Sequence, residues 1–342
     1  MARQTGSLRA YFLTRLLLAV PNLLILLTIV FLLMRVAPGD PISAALGGRL
    51  PQEELDRRRH EAGYDRPIVV QYLEFLGNTL TLDFGTTLTD NRALTSVIVQ
   101  NGAATLELTF FAMVVAVTVG VIVGLVAGRF RDTVLDVGGR LFGIVIYAAP
   151  VFFLGFLAQL TFGKWLGLLP TSGRADPVVQ FDLDTKTNLF VLDSIITGNW
   201  TALWDVTRHL VMPVLTLGLV IGGVFIRLIR VNVLQTLKGD YVEAARARGV
   251  PERKVVFRHA FRNALVPVVT VMGLQFAVLL SGAVLTEQTF NWPGLGAELV
   301  RYLNNRDYIA VQGIITFTGL VVVFASLMID VVTAWIDPRV RY

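Results

Sequence analysis

Six stretches of the chain run for 18 to 24 residues without Asp, Glu, Lys or Arg: Leu16–Met34, Leu108–Gly128, Leu141–Gly163, His209–Ile226, Asn263–Thr286 and Tyr308–Ile329. A hydrocarbon core about 30 Å thick needs about 20 apolar residues of helix to cross it. Backbone polar groups must also be satisfied within the segment, which restricts spanning structures to helices and closed barrels. The runs therefore predict an all-α integral membrane protein with six spans, over about 11–36, 104–128, 138–163, 209–229, 264–286 and 308–334. With only 16% charged residues among 342, the composition excludes a soluble or disordered chain. What lies between the runs is too scattered for a second domain, so residues 1–342 read as one membrane domain.

Net charge of +5 raises the question of nucleic acid, but basic residues in a membrane protein must first be sorted by side. With the N-terminus inside, 17 Lys/Arg fall in the inner segments and 13 in the outer ones, although the inner segments are about half as long in total. That asymmetry places both termini in the cytoplasm and points to membrane lipid rather than nucleic acid. The first run exceeds the apolar core of a secretory signal, and no convincing A-x-A site follows it. Cysteine is absent, which excludes disulfides and thiolate metal sites.

The external segment 37–103 opens on Pro38-Gly39-Asp40-Pro41, a turn-rich exit from the first span. Gln52–His60 is charged and expected in solvent, whereas Ile68, Val69, Tyr72, Leu73, Phe75, Leu76 and Leu80 recur at helical spacing. That helix would lie along the membrane surface, against the outer span ends, or simply packed within its own loop. Trp165, Trp292 and Trp335 lie just beyond span ends and read as interfacial anchors. Gly120, Gly124 and Gly128, like Gly218 and Gly222, repeat at i+4 and offer flat faces for close helix packing.

The inner loop 230–262, with Arg227 just before it, is strongly basic. Asp240 followed by Glu243 reads as a capping box opening a helix, which Gly249 ends in a left-handed turn and Pro251 prevents from continuing. So short a helix is marginal alone and must be held by something else. Ala244, Ala245 and Ala247 give it a side-chain-poor face suited to a groove, with Glu243 and Arg246 beside it for charge pairing. Packing on the inner ends of its own spans accounts for the spacing equally well.

Glu243-Ala244-Ala245, followed after three residues by Gly249, resembles the EAA loop of ABC-importer permeases. Further stretches narrow the resemblance to the dipeptide/oligopeptide/nickel permease family, over nearly the whole chain. They are Arg35-Val36-Ala37-Pro38-Gly39-Asp40-Pro41, Asp65-Arg66-Pro67 with Gln71-Tyr72-Leu73, Phe257-Arg258-His259-Ala260-Phe261-Arg262-Asn263-Ala264-Leu265, Trp292-Pro293-Gly294-Leu295-Gly296, Arg306-Asp307-Tyr308 and Asp337-Pro338-Arg339. Where many EAA loops continue to Leu-Pro, this one has His259, Phe261 and Arg262, and looks like the dipeptide-permease-B or oligopeptide-permease-B type.

The resemblance implies a type I ABC-importer permease fold in a bacterial cytoplasmic (inner) membrane. It further implies a cytoplasmic coupling helix carrying Asp240, Tyr241, Glu243, Ala244, Ala245, Arg246 and Gly249. The implied partners are a C-type second permease, two ATP-binding-cassette domains that bind ATP and Mg, and an extracytoplasmic substrate-binding protein. Short peptides are the expected cargo, with nickel chelates, haem or another small solute as alternatives within the same architecture.

The chain has no G-x-x-x-x-G-K-[ST] loop, and its three histidines lie in different segments without H-E-x-x-H, so neither ATP binding nor metal catalysis is expected of it. An ion-driven secondary carrier would be expected to place ionisable groups at mid-span, where the runs have none. Among polar residues in or beside the spans, Glu107 and Glu287 sit at outer ends and Asp330 at an inner end. Gln159 and Gln275 are the candidates for lining a translocation path, with interhelical hydrogen bonding as their alternative use.

Overall fold

The computed structural model describes residues 8–36, 42–43, 51–61 and 63–336. The expected turn Pro38-Gly39-Asp40-Pro41, the Asp337-Pro338-Arg339 stretch and the Trp335 side chain lie outside what is described, as do the side chains of His259, Arg262 and Asn263. In chain order the main helices are α1 (Leu8–Val36), α2 (Gln52–Glu61), α3 (Ile68–Leu80), α4 (Leu94–Arg129), α5 (Val134–Ala148) and α6 (Val151–Ala158). There follow α7 (Pro177–Asp182), α8 (Phe190–Ile196), α9 (Trp200–Leu237), α10 (Asp240–Ala247) and α11 (Glu252–Lys254). The last are α12 (Phe261–Gly282), α13 (Val284–Thr289), α14 (Leu295–Asn304) and α15 (Tyr308–Ile336).

Four of these, α1, α4, α9 and α15, are long and apolar enough to cross a membrane. A fifth crossing exists if α5 and the segment from Val151 to Trp165 count as one, but these meet at 99°. The uncharged run Leu141–Gly163 therefore does not form one straight helix. Pro150 is the cause: it has no N–H to donate, and it drives Ala149 out of the helical region to φ −73°, ψ 133°. Likewise the run Asn263–Thr286 is divided, because α12 ends at Gly282 and α13 begins at Val284.

The core is the seam between α4 and α9. Ala104, Leu108, Ala112, Ala116, Gly120, Gly124 and Gly128 recur every fourth residue along α4, and all are buried. Against them lie Leu210, Leu217, Ile221, Phe225, Ile229 and Val233 of α9, also buried. Small residues let the backbones approach closely, which is what drives helix association where lipid tails are as apolar as the side chains. A methyl group on Gly120 would overlap Cβ of Phe225, and one on Gly218 would stand 2.8 Å from the Ala112 carbonyl oxygen. The glycine repeats read from sequence are this contact.

Around the seam, α5 packs on α9 and α4, α12 on α9 and α15, and α15 on α1. Asp330 of α15 pairs with Arg15 of α1 at 3.4 Å, tying the end of one helix to the start of the other. Helix α3 packs on α1, where Tyr72 meets Phe31 edge-to-face, Phe75 lies tilted against the same ring, and the Tyr72 hydroxyl is 2.6 Å from that of Thr28. Ile68, Val69, Leu73 and Leu80 stay exposed on its other side. Of the two expected anchors whose side chains are described, Trp165 is exposed, but Trp292 is not an interfacial anchor: it is fully buried and donates to the Ala104 carbonyl at 3.0 Å.

Gly120→Leu should lower the stability of the purified chain by about 1–3 kcal/mol, the usual penalty of overpacking. Gly138, which has nothing within 4 Å of a built Cβ, is the control. Thermal unfolding in mild detergent should show a reduced midpoint for Gly120→Leu and none for Gly138→Ala.

Candidate functional site

Helix α10 begins two residues after α9 ends, and its geometry follows from glycine and proline at its borders. Gly239 is the N-cap, at φ −76° and ψ 144°, and its carbonyl accepts from Val242 N at 2.8 Å and Glu243 N at 3.3 Å. The expected capping box is not formed: Asp240 lies one residue inside the helix, and no side chain caps it. Asp240 and Glu243 instead occupy the first turn and Arg246 the last, each favourable to the helix dipole. Gly249 adopts φ +73°, a left-handed conformation that side chains disfavour, and its N–H closes on the Arg246 carbonyl at 2.9 Å.

What holds so short a helix is its own loop. Val242 and Ala245 are fully buried against Val255, with Leu237 and Val250 alongside. Ala245 is therefore part of the anchor, not of the exposed surface. Asp240, Tyr241, Glu243, Ala244, Arg246, Ala247 and Gly249 remain exposed. Arg246 is already engaged, donating to both carboxylate oxygens of Glu252 at 2.8 and 3.1 Å. That hydrogen-bonded guanidinium holds the Glu252 carboxyl below its ordinary value. Tyr241, Glu243 and Ala244 thus present an anionic face on which the Tyr241 hydroxyl and the Glu243 carboxylate make no hydrogen bond among the described residues.

The two candidate path residues are far apart in role. Gln159 opens a wide π-type turn, Gln159–Trp165, and donates its amide to the carbonyls of Thr171 at 2.7 Å and Thr289 at 2.9 Å. It ties α6 to the outer loop and to α13. Gln275, half-buried in the middle of α12, has no hydrogen-bond partner among the described residues.

A second polar assembly is built around Glu107 and Glu287, whose partners lie far away in the sequence. Glu107 is buried and accepts from Arg174 at 2.7 and 3.1 Å and from the Val191 N–H at 2.8 Å. Arg174 also donates to the Asn188 carbonyl at 2.6 Å, with its guanidinium 3.8 Å from the centre of the Phe190 ring. Glu287, expected beside headgroup water, is buried too, accepting from Thr105 at 2.6 Å and from the Ala297 N–H at 2.8 Å. Leu295 N–H donates to the same Thr105 hydroxyl at 2.8 Å.

The motif Trp292–Gly296 is consequently a wrapper around one carboxylate, since a side chain on Gly294 would collide with that of Glu287. Asp307 plays the same part nearby, capping α15 through Ala310 N and accepting from Leu88 N at 2.7 Å and Thr89 N at 3.0 Å. Arg35 and Gln71, from two further motifs, meet at 2.8 Å.

Two family models match the chain: "Binding-protein-dependent transport system inner membrane component" over residues 120–342, and the corresponding N-terminal membrane component over residues 8–109. Among curated proteins, the dipeptide transport system permease protein of Alkalihalophilus pseudofirmus is 34% identical, over 97% of this chain and 99% of its own length. The di/tripeptide transport system permease protein of Pseudomonas aeruginosa is 35% identical, over 96% and 97%. The glutathione transport system permease protein of Pectobacterium atrosepticum is 35% identical, over 97% and 99%. A solved amino acid ABC transporter superposes with a TM-score of 0.47 at 14% identity, covering 72% of this chain and 94% of its own.

Removing one partner of a buried ion pair leaves an uncompensated charge and typically costs about 3–5 kcal/mol. Arg174→Met should therefore strongly destabilise the chain, whereas Arg174→Met with Glu107→Leu should recover most of the loss, read as the thermal midpoint in detergent. At the α10 loop, Glu252→Gln should weaken hydrogen-exchange protection at Gly249. Because the Glu252 carboxyl is depressed in the fold, the difference from the parent chain should be present at neutral pH and vanish as pH falls through the depressed value.

Proposed function

The chain belongs to the family of binding-protein-dependent transport system inner membrane components, and from that premise we propose that it is a permease subunit of an ATP-driven importer of short peptides. The observation that carries the reading is the full-length match to permeases named for dipeptides, di/tripeptides and glutathione, all peptidic solutes. Those names favour peptides over nickel chelates or haem as cargo. An ion-driven carrier is disfavoured on the same ground.

In this reading α1, α4, the bent pair of α5 and α6, α9, α12 and α15 make six spans in a type I importer arrangement. The density of Lys and Arg on the inner segments supports a cytoplasmic N-terminus and C-terminus. The chain is non-catalytic. It pairs with a C-type permease around a central path, and two ATP-binding-cassette domains hold ATP and Mg, whose hydrolysis supplies the free energy. A substrate-binding protein presents peptide to the outer segments.

The coupling residues are then Asp240, Tyr241, Glu243 and Ala244 on the exposed face of α10. Val242 and Ala245 fix the helix to its loop, and Arg246 and Gly249 set its far end. A carboxylate facing outward with no internal partner suits a basic or N–H donor on the ATPase surface. For Gln159, its two cross-links to backbone support a structural role, which leaves Gln275 as the path candidate.

Glu243→Ala should insert normally yet retain about tenfold less ATPase on purification, the loss of a charge-assisted hydrogen bond of ~1.5–3 kcal/mol. Gly249→Pro, which cannot adopt a positive φ, should likewise abolish peptide uptake. Unchanged ATPase recovery and uptake in both variants would sink the docking assignment. Co-purification of the parent chain with no ATP-binding subunit, and uptake driven by an ion gradient alone, would overturn the importer reading itself.

A further inference from the structure

Between α5 and α9 runs a groove of about 660 Å³ that belongs neither to the α10 face nor to the outer polar layer. The two helices meet backbone to backbone beside it, since a methyl group on Gly223 would stand 2.7 Å from the Gly143 carbonyl oxygen. Ile144 and Tyr147 supply exposed apolar walls, with half-buried Val224 of α9 beside them. At one end of the same groove stand three guanidinium groups, Arg140, Arg227 and Arg230.

A single carboxylate answers them. Asp136 is fully buried, accepts from Arg230 at 2.6 and 2.8 Å, and lies 3.5 Å from Arg140. Arg230 is thereby fixed and neutralised. Arg140 keeps a side chain 47% exposed, and Arg227 is exposed with no ion pair among the described residues. The neighbouring Asp132 is already paired with Arg131 at 3.0 Å, so three positive charges against Asp136 leave the groove end with a surplus of two.

Depth identifies the counterpart. As a helix of 38 residues, α9 is about 57 Å long, some 27 Å more than the hydrocarbon core, or about 13 Å of excess at each end if divided evenly. Arg227 and Arg230 precede its last residue, Leu237, by roughly 10–15 Å along the axis. The arginines therefore sit at headgroup level, on the side taken as cytoplasmic in the proposed orientation, with the apolar walls reaching into the hydrocarbon.

We propose that this groove binds one anionic phospholipid, its phosphate held between Arg140 and Arg227 and an acyl chain laid along Ile144, Tyr147 and Val224. Arg230, locked by Asp136, shapes the pocket and adds field. A phospholipid brings an anion and an apolar chain at this depth together. A protein partner would have to carry an unpaired carboxylate to the bilayer boundary, which is costly. Basic pockets of this kind between spans are suited to anionic headgroups.

The test is native mass spectrometry and lipid exchange on the full chain, purified in mild detergent with whatever subunits accompany it. Dioleoylphosphatidylglycerol is the probe and dioleoylphosphatidylcholine the comparison. Phosphatidylglycerol should be retained selectively, and Arg140→Gln with Arg227→Gln should weaken its retention by about tenfold or more, whereas the Lys pair should keep it.

Because the chain lacks cysteine, Ile144→Cys also provides a unique attachment point. A photoactivatable acyl-chain reagent carried on phosphatidylglycerol should label it. Equal retention of the two lipids, displacement of the lipid by millimolar inorganic phosphate, or quantitative cross-linking of Ile144→Cys to a second permease would overturn the site. The readout is lipid retention and not uptake, so its failure is distinct from failure of the importer reading.

Discussion

Close backbone contact between α4 and α9 is the constraint on which the other elements depend. In hydrocarbon, two helices gain nothing by hiding leucines from water, so their association rests on van der Waals packing at short range. The alanine and glycine ladder from Ala104 to Gly128 supplies that range, and the glycines of α9 answer it from Gly218 to Gly223. With this pair fixed, α5 can lie on α9 through Gly143 and Gly223, and α12 can fill the remaining side. Both long helices overrun the bilayer, which gives the polar assemblies at either end a scaffold.

Those assemblies show how charge is kept in a membrane domain. Glu107, Glu287, Asp136 and Asp307 are each buried, and each is surrounded by donors: a guanidinium, hydroxyls or backbone N–H groups. Leaving any of them without partners costs more than the pairing gains, so each carboxylate fixes the segment that supplies its donors. At the outer end this orders the loops following α6 and α13. Several motifs shared with the permease family do this work: Trp292–Gly296 encloses Glu287, and Asp307 tethers the 88–89 backbone. Their regularity in sequence reflects folding of the outer surface.

The four long spans α1, α4, α9 and α15 were legible in the sequence because absence of charge over about 20 residues is a local property. So were the glycine seam and the left-handed Gly249, each set by a few neighbouring residues. The break at Pro150 was present in the letters as well, but counting charges is blind to backbone sterics. Partners far apart in sequence were not legible. Glu107 finds Arg174 67 residues on, Glu287 finds Thr105 182 residues back, and Asp136 finds Arg230 94 residues on. From spacing alone Glu107 and Glu287 could only be assigned to wet outer ends. Trp292 went the same way, since its position beside a span end says nothing of the Ala104 carbonyl it meets. The capping box failed for a local reason: Gly239 already has the extended backbone an N-cap requires, and it displaced Asp240 inward.

The anchoring of α10 determines where motion can go under the importer reading. Its upstream end joins α9 through Lys238 and Gly239, and α9 is held to α4 by contacts at Gly120, Gly124 and Gly218 that leave no room for an added methyl group. Interfaces packed this closely do not deform gradually, so a push on α10 cannot be absorbed within the α4–α9 pair. Its downstream side, through Val242, Ala245 and Val255, bears on a π-type turn at Val255–Ala260 that leads into α12. There the backbone is already wound away from the regular helix, and Pro267 removes a further hydrogen bond one helical stretch later. Compliance is therefore concentrated at the entrance to α12, the helix that carries Gln275. A force applied at Glu243 would shift α4 and α9 as a unit and tilt α12 against them, which is the relative movement that a path lined by α12 requires.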